Sequence, residues 1–268
     1  MHKKQRLDLI LTERGLIENR TKAQALIMAG KVRVNDKVIT KAGTLINPEE
    51  NLIITLDNSE QWASRGAKKL LRAFEVFDID VKNKICADFG ASTGGFCDVL
   101  LKNGAEKIYA IDVGYGQLIW RLANDKRIVV MDRTNARYLT HKNFQDTPDF
   151  ITCDVSFISL KIILPVINSI CDLENGQAVI LIKPQFEAGR EKISKGVVRD
   201  KNIHAEVLNN ILEFIYANTN FYVSGLTYSP IKGPEGNIEF LCWLTRKNIN
   251  DFKPDVLQVI FDAHEFLN

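Results

Sequence analysis

The strongest constraint on how this chain can fold lies between residues 85 and 112. Ile85-Cys86-Ala87-Asp88-Phe89 is an apolar run of strand length, and Gly90-Ala91-Ser92-Thr93-Gly94-Gly95 is a glycine-rich turn. Phe96 to Lys102 has helical spacing and stops at Gly104, and Ile108-Tyr109-Ala110-Ile111-Asp112 is a second apolar run. Runs apolar on both faces belong to strands covered on both sides, and a helix between two of them makes a crossover that joins parallel strands. The alternation continues with a helix over 117–124, strands over 128–130 and 150–154, and a helix over 162–171 with Pro165 near its first turn. A strand over 178–182, a long helix over 204–218 and strands over 222–228 and 238–245 complete it. The expected fold is α/β, a doubly wound parallel sheet, which places ligands at the carboxyl ends of the strands.

The first sixty residues read differently. Leu7, Leu9, Ile10 and Leu11 fit a short helix closed near Gly15. Asn19 or Thr21 caps a second helix, with Ala23, Ala25, Leu26 and Ile27 inward and Gly30 as its stop. Val32, Val34 and Val38 alternate around Asn35-Asp36-Lys37 as a hairpin, and Leu52 to Leu56 reads as a last strand. A small α+β domain at 1–59, a linker at 60–64 and a second domain at 65–268 are expected. The polar Asp57-Asn58-Ser59-Glu60-Gln61 leads into Trp62, which is expected to pack as a domain-docking residue.

Whole-chain charge is +2 and implies no polyanion partner, but it is unevenly spread. Residues 1–41 hold ten Lys and Arg against four acids, a local excess of +6 on an otherwise mildly acidic chain. That suits either a solvated basic face or a module for a polyanion. Five scattered cysteines without a CxxC pair argue against a disulfide framework or a zinc ribbon, and no metal is expected. The apolar Leu7 to Leu11 is too short for a signal peptide, and no run approaches the roughly 18 residues of a spanning helix, so a cytoplasmic protein without a membrane partner is expected.

The glycine turn is not a Walker A loop, because Phe96 stands where the lysine would be, and its spacing does not fit G-x-G-x-x-G. Asp88-x-Gly90-x-Ser92-x-Gly94-Gly95 instead resembles the D-x-G-x-G-x-G loop of S-adenosylmethionine-dependent methyltransferases. Asp112, 22 residues after Gly90, is placed to accept hydrogen bonds from ribose hydroxyls. An amino-nitrogen methyltransferase signature is absent, since Asp154-Val155-Ser156-Phe157 stands at its position. Cys153 follows Thr152 rather than proline, which reads as a small strand residue and not a nucleophile.

Charged groups gather at strand ends instead: Asp154, Lys183 and Glu239, with Lys69 on a helix before the first strand. From Arg65 to Thr245 the chain resembles the FtsJ-like ribose 2′-O-methyltransferases, a Rossmann-like fold, whose catalytic Lys-Asp-Lys-Glu set falls on Lys69, Asp154, Lys183 and Glu239. Residues 5–57, with Arg6-Leu7-Asp8, Arg14-Gly15-Leu16, Asn19 to Ala23 and Ala29 to Asn35, resemble the S-four-type RNA-binding domain. The whole chain is similar to the TlyA (hemolysin A-like) family of rRNA cytidine 2′-O-methyltransferases. Its blocks include Ser64 to Ala67, Gly90 to Phe96, Asp112 to Leu118, Arg133 to Arg137, Asp154 to Leu160 and Lys183 to Glu187. One departure is Glu60-Gln61-Trp62-Ala63, where the family has Arg-x-Trp-Val.

The resemblance implies that Asp88, Gly90, Ala91, Ser92, Thr93, Gly94, Gly95, Phe96, Asp112, Val113, Asp132, Arg133 and Asp154 border S-adenosyl-L-methionine. It implies that Arg6, Arg20, Lys22, Lys31, Arg33 and Arg65 face RNA, and that ribosomal RNA or ribosomal subunits are the partner. Lys183 is expected at the ribose oxygen, as base or as orienting donor. Lys69, Asp154 and Glu239 set its position and charge: a neighbouring lysine and a dry cleft lower an amine's pKa and carboxylates raise it again. Two rival readings are a non-catalytic RNA binder, against which the intact four residues speak, and a hemolysin, for which no long basic amphipathic helix is evident. The helical spacing of Val256, Val259 and Ile260 suits a C-terminal helix, found in family members that modify both subunits and equally suited to packing.

Overall fold

A computed structural model describes residues 4–35, 37–48, 54–56, 62–193, 196–249 and 251–267. The chain divides into two compact units, Met1–Gln61 and Trp62–Asn268. Residues 57–61, which include 60 and 61 of the expected linker, and Leu52 and Ile53 of the expected last strand lie outside the described residues.

The first unit runs β1 (Gln5–Arg6), α1 (Leu7–Glu13), α2 (Arg20–Met28), β2 (Val32–Val34), β3 (Lys37–Ile39), β4 (Leu45–Ile46) and β5 (Ile54–Leu56). Of the two candidate caps, Asn19 is the one used: its side chain accepts the Lys22 N–H at 2.9 Å. Leu7, Leu11, Ala23, Ile27, Val32 and Val34 bury together as its core. β2 is flanked antiparallel by β3 and β5. The strand pair β1–β4 is not evident in the sequence; its two-residue members are joined only by the register Gln5↔Ile46 and Arg6↔Leu45.

The second unit is a seven-stranded sheet with helices around it. Its elements are α3 (Ala67–Val76), β6 (Ile85–Phe89), α4 (Gly95–Lys102), β7 (Lys107–Ile111), α5 (Trp120–Ala123), β8 (Ile128–Met131) and β9 (Phe150–Cys153). α6 (Leu160–Ile170), β10 (Gln177–Ile182), α7 (Pro184–Glu187), α8 (Lys201–Asn218), β11 (Tyr222–Tyr228), β12 (Phe240–Thr245) and α9 (Val256–Leu267) follow. The order across the sheet is β11-β12-β10-β9-β6-β7-β8. Five strands are parallel, and the chain reverses direction across the sheet beside β6, between β7 and β9. An all-parallel sheet was the expectation, and β12 departs from it by running antiparallel to both β10 and β11. The reason is the connection: no crossover helix stands between β11 and β12, and a short return can only bring a strand back antiparallel.

Two helices also differ from expectation. The helix expected over 117–124 shrinks to the four residues of α5, because the preceding loop is committed elsewhere: the Ile119 N–H donates to the Thr93 carbonyl, and the Gly116 N–H to Asp132 Oδ2. α6 begins at Leu160, so Pro165 lies in its second turn, where its missing N–H forgoes one helical bond. Ser159 caps that helix, and Glu187 accepts from both Ser159 Oγ (2.6 Å) and the Leu160 N–H (2.7 Å), joining the loop after β9 to α7.

α9 packs on α8 and β11, with Ile260 and Ala263 buried. His264 Nε2 lies 3.1 Å from Nδ1 of the fully buried His204, whose ring also meets Phe240 edge-on. Burial, then His264, lowers the His204 pKa to about 4. Trp62 is half-buried against the core that includes Ala67 and Phe96, with Lys102 Nζ 3.8 Å from its ring centre. Buried Asp98 accepts the Ala63 N–H at 2.8 Å and is held by Arg121.

Candidate active site

The site lies at the carboxyl ends of the parallel strands. Asp112 follows β7, Asp154 follows β9 and Lys183 follows β10; Glu239 directly precedes antiparallel β12 rather than lying within it. Lys69 comes from the first turn of α3. The Gly90 turn is pinned by the N–H groups of Gly90 and Ala91, both donating to the Ile111 carbonyl at 2.9 and 3.0 Å. At Gly90 φ is +84°, and a Cβ there would stand 2.7 Å from the Asp154 carbonyl oxygen. Only glycine lets this turn approach the end of β9 so closely.

The four charged residues form one chain of contacts. Lys69 Nζ lies 2.8 Å from Glu239 Oε2 and 3.1 Å from Asp154 Oδ2; Lys183 Nζ lies 2.5 Å from Asp154 Oδ1 and donates to Ser156 Oγ at 2.9 Å. Lys69, Lys183 and Glu239 are buried, and Asp154 is the more open of the two carboxylates. Burial alone would lower the Lys69 pKa, but the charges of Asp154 and Glu239 outweigh it and hold it above its ordinary value. Lys69 is therefore a fixed cation at neutral pH. The contacts of Glu239 are ionic, and neither of its oxygens has a well-aligned hydrogen-bond donor among the described residues.

Two cavities share Gly90, Ser92 and Asp154. The first, about 240 Å³, is lined by Ser64, Arg65, Gly66, Lys69, Asp88, Gly90, Ala91, Ser92, Thr93, Gly95, Phe96, Asp154 and the loop 232–234. The second, about 400 Å³, is lined by Asp112 and Val113, by Gln117, by Thr134 to Ala136, and by Asp154 to Ile158, together with Ile111 and Ile163. Asp112 accepts the Ser92 N–H (2.8 Å) and the Gly114 N–H (2.7 Å), so it braces both loops around the second cavity. Asp88 is buried beneath the turn and accepts from Thr152 Oγ1 (2.8 Å) and Cys97 Sγ (3.1 Å). Burial raises its pKa to about 6 despite those bonds.

Three residues expected at the cofactor line neither cavity. Gly94 faces Leu118 and Leu122, whose side chains occupy the space a Cβ would need. Asp132 is engaged with the Gly116 N–H at 2.9 Å, and the Arg133 guanidinium lies 4.4 Å from the centre of the Tyr115 ring. Conversely, sequence reasoning missed Ser156, the 134–136 segment and the 232–234 loop as site residues. Phe157 is 91% exposed at the mouth of the second cavity, with φ +63° and its ring 5.1 Å from that of Phe186. A positive φ on a bulky residue is costly.

In the first unit, Arg6 and Arg20 converge on Asp8, and Lys22 pairs with Glu18 at 3.3 Å. Lys31 precedes β2 and Arg33 lies on it. Arg65 belongs to the second unit, on the rim of the first cavity.

Comparison with known proteins gives two family matches: FtsJ-like methyltransferase over residues 62–246 and S4 domain over residues 5–52. The Bacillus subtilis protein YqxC is 45% identical over 99% of this chain and 96% of its own length. The Mycobacterium tuberculosis 16S/23S rRNA (cytidine-2′-O)-methyltransferase TlyA is 41% identical over 91% of each chain. A solved structure from Streptococcus thermophilus, 41% identical, superposes with a TM-score of 0.75 over 99% of this chain and 98% of that one.

Proposed function

The chain belongs to the FtsJ-like methyltransferase family and carries an S4 domain, and from that premise we propose that it transfers a methyl group from S-adenosylmethionine to a cytidine 2′-hydroxyl of ribosomal RNA. The observation that carries this reading is the buried run Glu239–Lys69–Asp154–Lys183, whose Asp154 lines both cavities. The residues present suit the cofactor. The glycine turn leaves room for backbone approach, Asp112 stands beside the larger cavity for a ribose, and the Asp154 carboxylate borders both cavities where a sulfonium cation is favoured. Two short loops at 90–95 and 154–158 and the apolar Ile111, Val113 and Ile163 exclude water from the flat part of a nucleoside.

When bound, S-adenosylmethionine supplies a methyl carbon already activated by its positive sulfur, so the protein's task is to place and orient the oxygen. Lys183 is the group that meets the 2′-oxygen. Asp154 and Ser156 hold its amine in one position, which points the oxygen lone pair along the line of attack. Lys69 cannot take the proton, because the two carboxylates keep it charged; it serves to hold Asp154 and Glu239 together. Formation of the oxygen–carbon bond would be matched by cleavage of the methyl–sulfur bond, the sulfur leaving as a neutral thioether and the hydroxyl proton being lost to water.

The first unit supplies RNA affinity through its basic residues, acting on structured RNA by shape and phosphate. The Mycobacterium tuberculosis relative is named for both 16S and 23S rRNA, and α9 favours the two-target form here. This reading sets the reaction in the cytoplasm with the ribosome. For the rival membrane-active reading, no helix among the described residues is long and apolar enough to cross a membrane. The test is incubation of the purified chain with methyl-labelled S-adenosylmethionine and each ribosomal subunit, followed by mapping of label to nucleotide and atom. Label on a cytidine 2′-oxygen is expected. Label on a base, or cofactor binding with no label on either subunit or on naked rRNA, would overturn the reading.

A further inference from the structure

Among the described residues of the first unit, one carboxylate, that of Asp8, is buried, and it sits beside two arginines. Asp8 is fully buried in the first turn of α1. Its Oδ1 accepts from Arg6 Nε at 3.0 Å, and its Oδ2 accepts from Arg6 Nη2 (2.9 Å), Arg20 Nε (3.0 Å) and Gln24 Nε2 (2.7 Å). Arg6 comes from β1 and Arg20 from the start of α2, so the acid joins two elements distant in sequence. The Arg6 guanidinium also lies flat against Gly43, where a Cβ would be 3.3 Å from Nη1. These bonds leave Nη1 of Arg6 and both Nη groups of Arg20 without a protein acceptor among the described residues. Both guanidinium side chains remain about half exposed, at 42% and 50%.

We infer that Asp8 is a positioning residue for nucleic-acid recognition. It locks Arg6 and Arg20 side by side as a two-guanidinium seat for one stretch of RNA phosphodiester backbone. The inference rests on the reading of the first unit as RNA-binding. A guanidinium offers two edges, and a carboxylate that takes the Nε edge leaves the other turned outward in a set direction. Without it, two neighbouring arginines would repel and swing apart, and each would lose rotamer freedom on binding that Asp8 now removes beforehand. The Asp8 hydrogen bond raises the Arg6 pKa, and Arg6 first among its partners holds the Asp8 carboxyl well below the usual carboxylate range, so the acid is ionised at neutral pH.

The inference makes a prediction opposite to that of net charge. Asp8→Asn removes a negative charge from a basic face, which by electrostatics alone tightens RNA binding. Positioning predicts a loss of about tenfold or more in affinity of the full chain for large ribosomal subunits, and a shallower salt dependence, because fewer phosphates are engaged at once. Arg6→Lys, which keeps the charge but cannot span both Asp8 oxygens, is expected to lose nearly as much as Arg6→Ala. Circular dichroism and thermal melting establish that each variant is folded. An Asp8→Asn chain that is folded and binds as tightly as wild type, with an unchanged salt slope, would overturn the inference. If Asp8→Asn does not fold, wild-type affinity in Arg6→Lys overturns it alone, and a loss matching Arg6→Ala supports it. Failure of the wild-type chain to bind subunits at all would instead remove the RNA-binding reading on which the inference stands.

Discussion

Each unit of this chain buries carboxylates beside cations, and the two use that chemistry in opposite directions. At Asp8 the acid is hidden and its arginine partners are half exposed, so the acid sets the direction of charges that face outward. At Asp154 and Glu239 the partners are buried lysines, and the two acids keep the amine of Lys69 charged where it lines a cavity. The difference follows from the cation. Guanidinium stays charged anywhere and carries a directional fork, which suits recognition; an ammonium shifts its pKa with its surroundings and makes a compact contact, which suits chemistry. A buried ion pair is thus weak evidence for stability and stronger evidence for what its exposed or cavity-facing member does.

The largest test of this contrast is Lys183→Ala. Loss of the amine proposed to meet the reacting oxygen is expected to cost about 10³-fold in single-turnover methyl transfer, within the usual span for general acid–base groups. Cofactor affinity by calorimetry should stay within about threefold, and a variant methylating at wild-type rate would end the assignment. Next comes Glu239→Gln, expected to lower transfer by about 10²-fold by leaving Lys69 with one carboxylate. Lys69→Met combined with it should lose far less than the two singles together, because both act through one contact. Additive losses would mean that Lys69 and Glu239 act separately.

Acid titration gives a smaller effect with a defined sign. His204 has a pKa of about 4 in the folded chain against about 6.5 unfolded, so below 6.5 the unfolded chain binds more protons and the fold loses stability as pH falls. Asp88 is the reverse: about 6 folded against about 3.8 unfolded, so the folded chain binds more protons and gains stability as pH falls through 6. Each is worth on the order of 3 kcal/mol, and between pH 6 and 4 they nearly offset. Denaturant melts of His204→Phe should therefore show stability rising on acidification across that window, and those of Asp88→Asn should show it falling more steeply than wild type. The smallest effect is expected at Lys22→Ala, which removes an exposed i,i+4 pair with Glu18 and should change unfolding free energy by less than about 0.5 kcal/mol.

Much of this was legible in the residues. The boundaries of β6, β10 and β11 follow from apolar runs, and Asn19 and Gly30 mark the ends of α2 because caps and stops are local chemistry. What was not legible depends on distant partners. The strand pair β1–β4 exists only through residues 39 and 41 positions apart, and the direction of β12 is set by a loop whose composition does not state it. At the site, Lys69, Asp154, Lys183 and Glu239 could be named from a family pattern. Their order along the contact run, and the place of Ser156 at its end, required the sheet. That the side chains of Leu118 and Leu122 fill the space beside Gly94 could likewise be read only from the fold.

The reversal of β12 has a further consequence. An antiparallel last strand begins where its parallel neighbours end, so Glu239 stands beside Lys69 only when β12 is paired with β10. Closing a loop between positions this far apart in sequence carries an entropic cost. The run of charges is completed by the same event that completes the sheet, so a partly folded chain has the pieces of the site without the site.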